Sequence, residues 1–123
     1  MRTIVAWVGV GVFGAVGAYA RFHVGELVTS RRSSDFPLGT FVVNLTGGFV
    51  LGLLAGLAVD GDALLLAGTG FLGAYTTFST WMVEAQRLGE DADWATMWLY
   101  LLGSMLAGLA TTGLGWLIGE AIR

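Results

Sequence analysis

Apolar residues fill four long stretches of this chain, and most of its charged residues stand between or at the edges of them. The stretches cover residues 4–28, 38–59, 63–88 and 94–119, with loops at 29–37, 60–62 and 89–93. Each stretch is long enough to cross the hydrocarbon core of a bilayer, which takes about 20 helical residues. The loops are too short to hold a second domain. The pattern therefore predicts an all-α membrane protein, a single domain of four transmembrane helices over residues 1–123.

The third stretch contains the most unusual segment, Gly-Phe-Leu-Gly-Ala-Tyr-Thr-Thr-Phe-Ser-Thr-Trp at residues 70–81. Inside a bilayer, irregular backbone is tolerated only where it is buried in protein or lines a cavity. We therefore predict a break in the third helix at residues 70–76, where an ion passes or is held. Carbonyls freed by unwinding can coordinate a monovalent cation, and the N–H groups of the resuming helix can face an anion.

The composition agrees with a membrane protein and excludes several kinds of site. Of the 123 residues, 55% are hydrophobic and 12% are charged. In a soluble domain, about a quarter of the residues are charged. The chain has no cysteine and one histidine, which excludes thiol chemistry and makes a metal cluster a poor hypothesis. Without a histidine–carboxylate pair or a soluble domain, we expect no enzyme activity. With a formal net charge of −3, we expect no nucleic-acid partner.

Twenty glycines indicate close contacts between helices. Gly48, Gly52 and Gly56 follow one another at four-residue spacing, a stripe that lets helix backbones approach closely in lipid. Four helices leave little room for a water-filled path inside one copy, so we expect a homodimer with the path at its interface.

The arginines give a weak orientation signal. Arg2 and Arg123 fall on one side of the membrane and Arg31, Arg32 and Arg87 on the other. Under the positive-inside rule, this small bias is either noise or the mark of a chain that inserts in both orientations, which would permit an antiparallel dimer. The charges alone favour neither interpretation.

Several polar and aromatic side chains inside the stretches need partners. For Asn44 on the second helix, a hydrogen bond between helices is favoured over an N–H donor that faces an anion. Phe78 and Trp81 can share one helix face, where the positive edges of their rings could favour a small anion. Tyr100, taken alone, is predicted to be an interfacial anchor. Arg21 and Glu84 lie near stretch ends, where snorkelling explains them.

Three motifs together resemble the Fluc (CrcB) family of fluoride channels, over the whole chain. They are Gly-Thr-Phe-Val-Val-Asn at residues 39–44, the motif at residues 70–80, and Gly-Ala-Val-Gly-Ala-Tyr-Ala-Arg at residues 14–21. The resemblance implies a small channel in the plasma membrane of a prokaryote, through which cytoplasmic fluoride leaks out. It also implies an antiparallel, dual-topology homodimer with two fluoride pores and a central, structural sodium ion.

The resemblance also implies roles for individual residues. The backbone carbonyls of Gly73 and Thr76 would coordinate the sodium ion. Other residues would line the anion pathway: Asn44, Phe78, Trp81, Thr77, Ser79, Thr80, Tyr100 and Ser104. Arg21 would order the vestibule or the dimer.

One residue departs from the family pattern. Trp81 stands where the family usually has phenylalanine, and its extra bulk and N–H donor could slow conduction or leave the pore half-built. The alternative to a self-sufficient homodimer is therefore a subunit that needs a paralogous partner. A proton-coupled exporter of the small multidrug-resistance type needs a carboxylate deep in the membrane. It is disfavoured because Glu26 and Glu84 lie near the ends of their stretches. A non-conducting scaffold would not explain why an amide, several hydroxyls and a broken helix converge in one motif.

Overall fold

The structure, a computed structural model, describes residues 2–32 and 35–123, and within these ranges the chain folds into helices and connecting turns without strands. The elements are α1 (Arg2–Arg31), α2 (Leu38–Gly56), α3 (Gly61–Leu64), a π-helix (Leu65–Leu72), α4 (Gly73–Tyr75), α5 (Ser79–Glu90) and α6 (Trp94–Ile122). The all-α prediction is confirmed.

Three helices, α1, α2 and α6, are long and apolar enough to cross a membrane. The third predicted stretch is instead divided among α3, the π-helix, α4 and α5, none of which reaches that length. The chain is thus a multi-pass helical membrane protein. Its helix ends differ slightly from the prediction: α1 and α6 run past residues 28 and 119, whereas α2 ends at Gly56 because Ala58 turns to a positive φ of 56°.

The break in the third stretch lies later than predicted. Residues 70–72 belong to the π-helix and residues 73–75 to α4, so the non-helical backbone is confined to residues 76–78. Thr76 is extended, with φ −79° and ψ 156°. The glycines of residues 70–73 therefore do not unwind the helix. They widen it first, as π-helical turns do at functional sites.

Glycines bring α2 and α6 into direct backbone contact. A Cβ atom at Gly52 would collide with the carbonyl of Thr112, and one at Gly56 with the carbonyl of Trp116. From the other side, a Cβ at Gly115 would collide with the carbonyl of Phe49. Gly48 continues the stripe beside the Thr112 hydroxyl. Only residues without a side chain let these two backbones approach so closely.

Glycines also bring the first helix, α1, close to the π-helix. A Cβ at Gly17 would collide with the Phe71 carbonyl, and one at Gly14 would lie 3.6 Å from the Gly70 carbonyl. The outer face of α1 remains exposed, as at Trp7 with 59% of its surface accessible. Such apolar exteriors suit hydrocarbon surroundings.

The turn before α6 supplies a capping carboxylate for that helix. Asp93 precedes Trp94, and its carboxylate accepts a hydrogen bond from the Thr96 N–H at 3.4 Å. The carboxylate thus satisfies one of the N–H groups that a helix start leaves without a partner.

Candidate ion-binding groove

An open groove of about 320 Å³ runs beside the break in the third stretch. We call it the break groove. Its lining comes from α2, the π-helix, α4, the break itself and the first turn of α5: Asn44, Gly47, Gly48, Leu51, Gly68, Leu72, Gly73, Thr76, Thr77, Phe78 and Trp81. The fold therefore gathers the two residues predicted to hold a cation and four of those predicted to line the anion path, although they are distant in sequence.

Asn44 pairs with the backbone of the break. Its Nδ2 donates to the Thr77 carbonyl at 2.9 Å, and its Oδ1 accepts from the Thr77 N–H at 2.8 Å. An amide side chain has a donor and an acceptor side by side, so it can satisfy both groups of one residue that has left the helical pattern. The hydrogen bond between helical segments that the sequence favoured for Asn44 is present, and it goes to backbone.

A second bond from α2 holds the other side of the break. The Thr46 and Tyr75 hydroxyls are 2.9 Å apart, and Tyr75 is buried beside Val43 and Leu72. Gly47 follows Thr46, and a Cβ there would collide with the methyl group of Thr76. Contacts from a single turn of α2, residues 44–47, thus shape the break. The sequence analysis did not identify Thr46, which carries no motif of its own.

Gly73 and Thr76 both line the groove, and Gly73 can line it only with its backbone. The Thr76 hydroxyl is occupied because it donates to the Leu72 carbonyl at 3.0 Å. Among the described residues no cluster of histidine, cysteine, aspartate or glutamate could hold a metal. Neutral carbonyl oxygens are the donors that broken helices offer to sodium, so this donor set fits a monovalent cation.

Phe78 and Trp81 stand together at the mouth of the groove. Their ring centroids are 5.6 Å apart and the planes cross at 78°, an edge-to-face pair. Phe78 is 70% exposed. The indole Nε1 of Trp81 is buried and has no hydrogen-bond partner among the described residues.

The hydroxyls after the break bond mainly to one another. The Thr77 hydroxyl lies 3.5 Å from that of Ser79, donates to the Thr80 hydroxyl at 3.2 Å and accepts from the Thr80 N–H at 3.3 Å. Thr77 is buried, whereas Ser79 and Thr80 are exposed. Ser79 does not line the break groove.

A larger cavity of about 700 Å³ lies on the other side of Thr77, which borders both spaces. We call it the vestibule cavity. Arg21, Thr80 and Glu84 line it, and the Thr40 hydroxyl donates a short hydrogen bond to the Glu84 carboxylate there. Sequence reasoning missed this pair, since it treated Glu84 as a snorkelling residue. The signal was available in Thr40, one turn from Asn44 on the same face.

Tyr100 and Ser104 do not line either space, although Tyr100 lies near Thr40 and Glu84 of the vestibule cavity. Tyr100 is completely buried between α5 and α6, packed with Ala85 and Leu88, so its prediction as an interfacial anchor is wrong. The Tyr100 hydroxyl and the Ser104 hydroxyl are buried without hydrogen-bond partners among the described residues. Trp81 packs against the same cluster, so its unpartnered N–H belongs to the same region.

The fold and the groove define a class: a small multi-pass helical membrane protein with a broken helix beside a polar groove. Comparison with known proteins shows the family to which the chain belongs. Residues 8–116 match the family described as CrcB-like protein, Camphor Resistance (CrcB). The chain belongs to the CrcB family.

Curated relatives support this assignment over nearly the whole chain. A protein of Mycobacterium tuberculosis (strain ATCC 25618 / H37Rv) named fluoride-specific ion channel FluC 2 is 50% identical over 96% of this chain and 94% of its own length. The protein of the same name from Mycolicibacterium paratuberculosis is 48% identical over 99% of this chain and 100% of its own length. FluC 1 of Geobacillus kaustophilus is 44% identical over 90% and 95%. These relatives are named as channels and not as enzymes.

Proposed function

We propose that this chain forms a fluoride-selective channel that lets cytoplasmic fluoride leave the cell passively and so reduces fluoride toxicity. The observation that carries the proposal is the break groove, which brings Asn44, Thr77, Phe78 and Trp81 to one open face. The relatives named as fluoride-specific channels support the choice of ion.

The proposed working unit is an antiparallel homodimer with four spans per subunit, in the plasma membrane of a prokaryote. The groove is open, and Phe78 at its mouth is 70% exposed. A second copy seated there would cover Phe78 and complete the polar walls. Pairing two copies in opposite orientations also agrees with the small arginine bias between the two sides.

A sodium ion at the dimer centre is part of the proposal. The carbonyls of Gly73 and Thr76 would hold it, since both residues line the groove and neither offers a charged side chain. When bound, the ion would supply a fixed positive charge beside the anion path and link the two subunits.

The chain's own residues would act on fluoride as neutral donors. Fluoride is small and tightly hydrated, so a path that admits it must replace water by hydroxyls, amides and the positive edges of aromatic rings. Phe78 supplies an exposed ring edge, and Trp81 adds a second aromatic ring beside it. A buried arginine or lysine would hold the anion too strongly for rapid passage. The negative-inside membrane potential drives the anion outward, by about 2.3 kcal/mol per 100 mV.

The deciding experiment is anion efflux from liposomes that contain only this purified chain, followed with a fluoride electrode and a chloride electrode in parallel. We expect fast fluoride loss without chloride loss. Protein-free liposomes, and liposomes with a Phe78→Ile chain, provide the controls. Equal loss of both anions would contradict fluoride selectivity.

The alternative is a subunit that conducts only with a paralogous partner. The departure at Trp81 favours it, because the extra bulk and the buried, unpartnered Nε1 of the indole could leave the pore half-built. Absence of flux from a well-folded dimer, restored by co-reconstitution with a paralogue from the same cell, would support this alternative.

A further inference from the structure

The carbonyl of Gly73 is deprived of its normal helical donor. In an α-helix, the N–H of each residue donates to the carbonyl four residues earlier, so the Thr77 N–H would close on Gly73. Instead the Thr77 N–H donates to Asn44 Oδ1 at 2.8 Å. The acceptor comes from α2, 33 residues away in sequence. The Asn44 side chain therefore takes the proton donor that would otherwise occupy the Gly73 carbonyl.

The carbonyl of Thr76 loses its donor in the same way. Its helical partner would be the Thr80 N–H, which donates to the Thr77 hydroxyl at 3.3 Å. Within the break, the Thr76 N–H goes to Leu72, and no backbone N–H of residues 76–78 donates to Gly73 or Thr76. Two side-chain oxygens thus accept the two N–H groups that would otherwise bond the carbonyls of Gly73 and Thr76. Both of these residues line the break groove.

We propose that Asn44 and Thr77 are positioning residues for the cation site: their side-chain oxygens divert the two N–H groups that would close on the Gly73 and Thr76 carbonyls, and so keep both carbonyls available to a monovalent cation. This inference rests on the proposed sodium site. It gives Asn44 a role through backbone, distinct from direct contact with the anion.

Ordinary capping explains only part of the arrangement. A hydroxyl that accepts an N–H near the start of α5 is a common way to begin a helix, and it accounts for Thr77 alone. It does not account for Asn44, which lies on another helix and accepts the Thr77 N–H that would otherwise bond the Gly73 carbonyl. Asn44 also donates to the Thr77 carbonyl at 2.9 Å, which fixes the peptide planes on both sides of Thr77.

The substitutions that test the inference are close to isosteric. Asn44→Leu and Thr77→Val each remove one acceptor, so the released N–H can return to its carbonyl and compete with the cation. Thr77→Ser keeps the acceptor and is the matched control. Thr46→Val is a second control, because it removes the bond to Tyr75 at 2.9 Å without touching either diverted N–H.

The measurement is the thermal unfolding temperature of the purified full-length protein as NaCl replaces N-methylglucamine chloride at constant ionic strength. Wild-type protein is expected to gain stability with sodium. Asn44→Leu and Thr77→Val should raise the half-maximal sodium concentration about fivefold, since each adds a competing hydrogen bond. Thr77→Ser and Thr46→Val should keep the wild-type midpoint, even if their unfolding temperature without sodium falls.

Fluoride efflux from the same preparations tests channel function separately from the sodium-site inference. A wild-type protein that conducts fluoride but shows no sodium response overturns the inference and leaves channel function standing. A wild-type protein that responds to sodium without conducting fluoride contradicts a self-sufficient channel instead. Unchanged sodium midpoints in both Asn44→Leu and Thr77→Val, or an equal shift in Thr46→Val, also overturn the inference.

Discussion

Asn44 illustrates how much the role of a single residue depends on what it bonds. An amide inside a membrane helix is costly unless it finds partners, and here it finds two on one residue, at 2.9 and 2.8 Å. Its polar atoms are therefore directed to the Thr77 backbone while its side chain still borders the break groove. Residue type and helix position predict that Asn44 needs partners, but not which ones.

Phe78 carries the sharpest prediction at this scale. Phe78→Ile removes the ring edge and keeps apolar bulk, so we expect loss of fluoride efflux from liposomes, with the proposed dimer intact on size-exclusion chromatography. Phe13→Ile is the matched control, because Phe13 is also partly exposed, at 42%, but lies outside the groove. Wild-type efflux in the Phe78 variant would eliminate the aromatic-edge role.

Trp81 allows a second substitution. Its Nε1 is buried without a partner among the described residues, so Trp81→Phe removes a polar group at little cost. We expect the free energy of unfolding to change by no more than about 1 kcal/mol and fluoride efflux to stay at the wild-type rate or rise. Efflux that falls strongly while stability holds would show that the N–H is a required donor.

At the scale of helices, close backbone contact between α2 and α6 dominates the packing. Both helices contribute glycines to it, and a Cβ at Gly52, Gly56 or Gly115 would meet a backbone carbonyl and not a movable side chain. Lipid supplies no hydrophobic force between helices, so van der Waals contact at these positions has to hold them together.

Two glycines of α6 provide a matched test of this packing. A Cβ at Gly115 would collide with the Phe49 carbonyl, whereas one at Gly113 meets nothing within 4 Å. Gly115→Ala should therefore cost about 1–3 kcal/mol by overpacking, while Gly113→Ala should be neutral or slightly stabilising because alanine favours helix. Thermal unfolding in detergent would measure both. Similar behaviour of the two variants would contradict the contact.

At the scale of the whole molecule, the open groove and the exposed Phe78 suit an assembly of two copies. In the proposed four-span topology, residues 60–62 and residues 89–93 lie on opposite sides of the membrane. The chain would insert in both orientations because its arginines are nearly balanced between the sides.

Charge substitutions can lock each orientation. Asp60→Lys with Asp62→Lys should fix one, and Glu90→Lys with Asp91→Lys the other, as read by a reporter fused after Arg123. Each locked chain alone should give no fluoride efflux, and co-expression of the two should restore it. Full efflux from one locked chain by itself would exclude the antiparallel dimer.

The sequence by itself determined the class of protein and most of the candidate residues. Apolar length fixed where the chain crosses or enters the membrane, because partition into hydrocarbon depends on composition over about 20 residues. The glycine stripe and the Asp93 cap were also predictable, since each depends on residues within a few helical turns.

Tertiary structure decided where the helix breaks and what the polar groups contact. The break at residues 76–78 depends on Asn44, which lies 33 residues away, and no local pattern encodes that distance. The pairing of Thr40 with Glu84 spans 44 residues, and the burial of Tyr100 requires α5 to pack on α6. Local propensity and hydropathy act through neighbours along the chain, whereas hydrogen bonds and close contacts between helices exist only once the helices are assembled.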